Sequence, residues 1–170
     1  MRLSCGACVV RDWSPADKSS LVRFANNRNV WRNLTHRFPH PYNEVDADSW
    51  LSRLARKTPA TNWAIEIDGL AAGGIGADPG EGVYAKSARF GYWLGEPYWG
   101  RGIMTAAVRG TVEYLFEQFD FVRLEAPVFE WNPPSMRILE KCGFTREGVL
   151  RQSIEKDGQI IDAVLYARLR

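Results

Sequence analysis

With 170 residues, 45% hydrophobic and 25% charged side chains and a net charge of +2, the chain has the size and balance of one soluble globular domain with a sizeable core. No block of like charge marks a nucleic-acid surface, and no apolar run approaches the roughly 20 residues that cross a bilayer. No basic segment leads into an apolar one at the start, so the expectation is a cytoplasmic protein with no membrane partner and no nucleic-acid partner indicated.

Cys5, Cys8 and Cys142 make an odd count, which favours reduced thiols. Cys5-Gly6-Ala7-Cys8 has the spacing of a redox or zinc pair, but no second pair exists. Along one opening strand, residues three apart face opposite sides, so the spacing is expected to be accidental. His36 and His40 are the only histidines and fall in a loop, and no metal site is expected.

Cys8 to Trp13 reads as a strand. Ser14-Pro15 supplies an N-cap and a first-turn proline, and a helix follows through Leu21, Val22, Phe24 and Ala25. Asn26-Asn27 loosens it, Asn29 to Leu34 forms a second short helix, and Thr35 to Pro41 is irregular. Asn43 to Lys57 is helical again, with Val45, Trp50, Leu51 and Leu54 on its apolar side. Trp31, Phe38, Tyr42 and Trp50 serve here either as core or as the lining of a pocket.

Asn62 to Ile67 alternates as a strand, Asp68-Gly69 turns a hairpin, and Leu70 to Gly76 returns. Asp78 to Gly82 is a loop, and Ser87 to Leu94 is an aromatic-rich strand ended by Gly95-Glu96-Pro97. From Gly102 a helix places Ile103, Met104, Val108, Val112, Leu115, Phe116 and Phe119 on one face. Arg109, Glu113 and Glu117 take the other face, with an Arg109–Glu113 pair. Val122 to Val128 is a strand whose Pro127 implies an edge or an interrupted ladder. Asn132 caps a helix with Pro133 in its first turn; Ile138, Leu139 and Cys142 are its buried side, and Gly143 is its left-handed end. Asp157-Gly158 turns a last hairpin from Val149–Ile154 into Ile160–Arg168. Without repeats, low complexity or a linker, the expectation is one α+β domain over residues 1–170 on a mostly antiparallel sheet.

Chemistry concentrates at Trp99-Gly100-Arg101-Gly102-Ile103-Met104-Thr105. A helix start leaves its first N–H groups unpaired and carries partial positive charge. Gly100 and Gly102 remove two side chains there and Arg101 adds a cation, so a phosphate can approach the backbone. Thr105 stands where a dinucleotide fingerprint needs its third glycine, and no Gly-Lys-Ser/Thr follows to make a Walker loop. By itself the segment reads as an anion site or as an ordinary glycine turn.

Two separated signatures extend this reading: Tyr92-Trp93-Leu94-Gly95-Glu96-Pro97-Tyr98-Trp99-Gly100-Arg101-Gly102-Ile103-Met104-Thr105, and Asn132-Pro133-Pro134-Ser135-Met136-Arg137-Ile138-Leu139-Glu140-Lys141-Cys142-Gly143-Phe144-Thr145-Arg146-Glu147-Gly148. Together they resemble the GNAT N-acetyltransferases, in particular the branch of ribosomal-protein alanine acetyltransferases. Asp157-Gly158 with Asp162-Ala163-Val164-Leu165-Tyr166 is similar to that branch too, so the resemblance covers nearly the whole chain. It implies a GNAT fold: a mixed, mostly antiparallel sheet, splayed at its central strands and flanked by helices. It also implies acetyl-CoA as donor, no metal, and an amine acceptor, either a protein N-terminus or a small molecule; a homodimer stays open. The resemblance places the pyrophosphate on the backbone of Gly100, Arg101, Gly102, Ile103, Met104 and Thr105, and the pantetheine along Trp93 and Leu94. Asn132 and Ser135 match polar positions beside the pantetheine and the sulfur. Trp99 and Met104 depart from the family's usual Gln/Arg and Gly/Ala, and Ala88 stands near the position where some relatives carry a basic glutamate.

Acetyl transfer needs a neutral amine, an oxyanion donor and a stabilised thiolate. The backbone N–H of Leu94, or of a neighbour, is the candidate oxyanion donor. Ser135 is the candidate hydrogen-bond donor to the thiolate, with helix capping as its alternative role. Glu66, Glu96 and Asp162 are the remaining carboxylates to weigh as bases, each otherwise read as surface charge. Three functions compete: acetylation of a protein or peptide N-terminus, acetylation of a small-molecule amine or antibiotic, and acyl-CoA sensing without turnover.

Overall fold

The computed structural model describes residues 1–170. Two units emerge from the contacts, Met1–Gly76 with Tyr92–Thr111, and Ala77–Gly91 with Val112–Arg170.

The first unit opens on a tight hairpin. β1 (Arg2–Ser4) and β2 (Val9–Arg11) run antiparallel, with Leu3 opposite Val10 and Ser4 opposite Val9. Gly6, at φ 73°, supplies the positive angle that a two-residue loop needs at its first central position, and the Cys5 N–H donates to the Cys8 carbonyl at 2.9 Å. The expectation of one continuous strand is therefore corrected. A turn intervenes, and Cys5 and Cys8 become cross-strand neighbours on one face. Burial pushes the Cys8 thiol up to about 11.

Polar caps start the next helices. Ser14 and Asp17 form a capping box ahead of α1 (Lys18–Ala25), Asn27 caps α2 (Arg28–Trp31), and Asn43 with Asp46 boxes α3 (Glu44–Ala55). Leu21, Ala25, Tyr42 and Ala47 form a buried cluster, with Phe38, Trp50 and Trp93 packed against it. Phe38, Tyr42 and Trp50 thus act as core. Val45 does not, being 72% exposed: it lies two residues, or about 200° of helical turn, from the buried Ala47.

β3 (Asn62–Ile67) and β4 (Leu70–Pro79) form the expected hairpin around Asp68 and Gly69, both at positive φ. β4 continues through Asp78 to Pro79, beyond the expected loop boundary, because the Gly80 N–H is still held by the Ser87 carbonyl at 2.9 Å. Its glycines admit a close neighbour: a Cβ on Gly73 would lie 2.4 Å from the Trp93 carbonyl, and one on Gly74 would lie 2.6 Å from the Trp93 indole nitrogen.

β5 (Ser87–Leu94) and α4 (Ile103–Gln118) each contribute residues to both units. In the second unit, β5 pairs in parallel with β6 (Arg123–Phe129) from Ser87↔Arg123 to Arg89↔Glu125, where the register ends although both strands run on. α5 (Pro133–Lys141) follows, then the long antiparallel hairpin of β7 (Thr145–Lys156) and β8 (Gln159–Leu169) around Asp157 and Gly158. β6 pairs with β8 from Arg123↔Leu169 to Phe129↔Ala163, Pro127 opposite Leu165. Pro127 therefore leaves the β8 register unbroken and lies in an inner strand, beyond the point where pairing with β5 stops at Glu125. Glu113 of α4 accepts a hydrogen bond from Arg168 of β8, a partner on another element beside the Arg109 expected on its own helix. The strand order is β1-β2-β3-β4-β5-β6-β8-β7, an open mixed sheet as expected. No helix is long and apolar enough to cross a membrane.

Candidate functional site

Within the first unit the glycine loop leads directly into α4. Gly100 and Gly102 adopt φ of 74° and 76°, and a Cβ built on either would meet nothing within 4 Å. The Gly102 carbonyl accepts from the Ala106 N–H at 3.2 Å, which makes Gly102 the N-cap. A glycine cap has no oxygen to offer, so the first-turn N–H groups from Ile103 to Thr105 receive no cap from residue 102. The side chains of Ile103 and Met104 are buried and anchor the turn from behind. Arg101 is exposed, with its guanidinium carbon 5.9 Å from the Tyr98 ring centre. Open glycine backbone, a helix start and one cation together make a surface suited to a diphosphate.

The segment feeding this loop is clamped. The Gly95 N–H donates to the Ala72 carbonyl at 2.7 Å, and the Trp99 indole N–H donates to the Leu94 carbonyl at 2.7 Å. Both ends of the Leu94–Gly95 peptide are thereby fixed. A Cβ at residue 95 would also lie 2.8 Å from the Phe24 ring. Because N–H groups alternate sides along an extended strand, the Leu94 N–H is turned away from β4. Trp93 is half-buried with its ring centre 5.4 Å from that of Phe38, whereas Trp99 is 43% exposed at the loop. The first unit thus brings together Trp93, Leu94, Trp99 and Gly100 through Thr105.

The carboxylates weighed as bases are all engaged, which corrects their reading as surface charge. Glu96 accepts from Asn27 Nδ2 at 2.7 Å and from Asn29 Nδ2 at 2.9 Å. Glu66 accepts from Arg11 and Arg2, and the Arg11 guanidinium holds its carboxyl below the usual range. Asp162 Oδ1 accepts the Gln152 N–H at 2.8 Å. The Asn27–Glu96–Asn29 clamp escaped sequence reasoning; the only trace of it is the Asn27-Arg28-Asn29 spacing at a helix start, which signals a cap and says nothing of a residue so far along the chain.

In the second unit, Asn132 and Ser135 open α5. Asn132 Oδ1 accepts the Ser135 N–H at 3.4 Å, and both residues are half-buried. Ala88 of β5 is 2% exposed and lies opposite Leu124 of β6, an apolar setting without a carboxylate of its own. No group of three or more His, Cys, Asp or Glu side chains is placed to hold a metal ion.

Residues 8–145 match a family described as the acetyltransferase (GNAT) domain. The chain is 31% identical to the ribosomal-protein-serine acetyltransferase of Escherichia coli over 49% of this chain and 47% of that protein. It is 26% identical to the L-amino acid N-acetyltransferase AaaT of the same organism, over 95% of this chain and 98% of that protein. Among solved structures, RimJ of Mycobacterium smegmatis in complex with CoA-disulfide superposes with a TM-score of 0.84 at 27% identity, covering 99% of this chain and 84% of RimJ. The chain spans about half the length of several other curated relatives, 40% to 49% of each.

Proposed function

The chain belongs to the GNAT acetyltransferase family, and from that premise we propose that residues 1–170 work as one catalytic domain that transfers the acetyl group of acetyl-CoA to an α-amine, foremost the N-terminus of a protein or peptide. The observation that carries this reading is the glycine start of α4 at Gly100 and Gly102, whose open backbone and flanking Arg101 suit the pyrophosphate of the donor.

In the proposed reaction the neutral amine nitrogen attacks the thioester carbonyl carbon, and the tetrahedral adduct expels the CoA thiolate as the amine gives up its proton to water. The Leu94 N–H, turned away from β4 and set beside a clamped peptide, donates to the oxyanion. Ser135 donates a hydrogen bond to the departing thiolate. A hydroxyl is a weaker acid than a thiol, so the bond stabilises the thiolate without transferring a proton to it. Trp93 and Trp99 line the path of the donor.

The acceptor class follows from proton bookkeeping. An α-amine has a pKa of about 7.7–8.0, so a substantial minority is neutral near pH 7, whereas a lysine at about 10.4 asks the site for roughly 4 kcal/mol. Glu66 is kept ionised by Arg11, Glu96 is held by two amides, Asp162 is bound to backbone, and Ala88 is apolar. None is poised to take a proton from lysine. The likeness to the L-amino acid N-acetyltransferase, which extends over almost the whole of both chains, favours a second reading in which the α-amine belongs to a small molecule.

A panel of free amino acids, unblocked peptides, and lysine peptides with blocked N-termini, assayed for release of the CoA thiol, tests the proposal. Turnover is expected with α-amines and only weakly with the blocked lysine peptides. Preference for lysine side chains, or no thiol release with any amine, contradicts it.

A further inference from the structure

We propose that Cys5 and Cys8 form a dithiol site that closes to an intramolecular disulfide when it meets a low-molecular-weight disulfide. Neither thiol has a part in the acetyl transfer described above. The antiparallel register Leu3↔Val10 and Ser4↔Val9 continues to Cys5 opposite Cys8, where the Cys5 N–H donates to the Cys8 carbonyl at 2.9 Å. Facing residues of such a hydrogen-bonded pair lie about 5.5 Å apart at Cα. A disulfide spans about 4.4–6.8 Å between the same atoms, so closure asks little of the backbone. The side chains share one face, and the Cys5 thiol donates to the Leu3 carbonyl at 3.9 Å.

The surroundings divide the roles. Cys5 is half-buried, whereas Cys8 is 3% exposed. Cys5 is the less buried of the two residues; burial pushes both thiols up, Cys8 to about 11, so attack proceeds through the small thiolate fraction of Cys5. The Cys5 thiolate attacks one sulfur of glutathione disulfide, forming a mixed disulfide and releasing one glutathione thiolate. Cys8, its proton passed to solvent, then attacks the Cys5 sulfur and expels the second glutathione. Two protein thiols are oxidised by two electrons, and one disulfide is reduced to two thiols. The hairpin is also fixed from outside. Cys5 Sγ lies 2.9 Å from where a Cβ on Gly110 of α4 would sit, so only a glycine there lets the sulfur pack as it does.

The test incubates the purified full chain with glutathione disulfide, then measures intact mass and titrates thiols in denaturant. Of the three free cysteines, Cys142 alone is expected to remain, with a mass loss of two hydrogens, a Cys5–Cys8 link on peptide mapping, and full reversal by dithiothreitol. Cys8→Ser, which removes the resolving thiol, is expected to trap one glutathione on Cys5, and Cys5→Ser to take up none at Cys8. Retention of all three thiols, or a stable glutathione adduct on the unsubstituted protein, overturns the proposal.

Discussion

α4 and α5 begin at the two signatures that carry the family resemblance, yet their first turns are completed in opposite ways. At α5 the Asn132 side chain accepts the Ser135 N–H, so the helix meets part of its own demand for acceptors. At α4 the cap is Gly102, flanked by Gly100 at a similar positive φ, and nothing stands within 4 Å of the positions their side chains would fill. Both starts present the same orphan donors. Where Ser14, Asn27, Asn43 and Asn132 stand at helical starts, the chain spends a polar side chain on closure. At Gly102 it offers no side-chain acceptor and leaves open space beside a helix start, which suits recognition of an anion.

The largest expected effect breaks that contrast by filling the open start. Gly102→Glu places a side chain and a carboxylate at the proposed pyrophosphate position and forces a non-glycine residue to φ 76°. Calorimetry should show CoA affinity reduced by about tenfold or more, equal to about 1.4 kcal/mol. A folded variant that binds CoA as the wild type does would remove the anion site from α4. Next comes Ser135→Ala. A charge-assisted hydrogen bond is worth about 1.5–3 kcal/mol, so turnover should fall roughly ten- to a hundredfold while acetyl-CoA binding changes less. Unchanged turnover with chemistry rate-limiting would return Ser135 to a purely structural place in the first turn of α5.

A smaller effect sharpens the other side of the comparison. Asn132→Ala removes a cap and should cost about 1 kcal/mol of stability in urea unfolding. Gly102→Ala removes no cap, and its cost should come from the left-handed φ alone. The smallest kinetic effect is expected from the carboxylates: Glu66→Gln, Glu96→Gln and Asp162→Asn should each leave the rise of rate with pH in place, since that rise follows the acceptor's own ionisation. Glu66→Gln should lower stability instead. The Glu66 carboxyl is depressed in the folded state by Arg11, so the pair stabilises fully above the ordinary glutamate pKa of about 4.3 and its contribution is lost as pH falls through the lower folded value. The stability gap between Glu66→Gln and wild type should therefore narrow in acid. Loss of activity with fold and CoA binding intact in any of the three would instead identify a base.

Local chemistry was legible in the sequence wherever it acts over a few residues. Ser14 and Asn132 cap where their spacing implies, Asp68-Gly69 and Asp157-Gly158 turn hairpins, and Ser87 to Leu94 is a strand with those limits. Features that depend on distant partners were not. Val45 fits an apolar stripe by spacing but misses the buried side because tertiary packing centres α3 on Ala47. Cys5 and Cys8 look like opposite faces of one strand unless Gly6 is read as the turn. Glu96 reads as surface charge because Asn27 and Asn29, which hold it, stand nearly seventy residues away in sequence. Among the candidate site residues, the glycine loop was readable because backbone and helix start are adjacent in sequence. The clamp from Trp99 to the Leu94 carbonyl was not, since an indole beside glycines signals only bulk.

The central claim, that the glycine start of α4 receives the donor's phosphates, is tested most directly by following backbone amide resonances of the full chain as CoA is added. The account predicts large shifts at Gly100, Arg101, Gly102 and Ile103 through Thr105, reduced when dephosphorylated pantetheine replaces CoA. Amides at this loop that stay still while CoA saturates the protein elsewhere would contradict it.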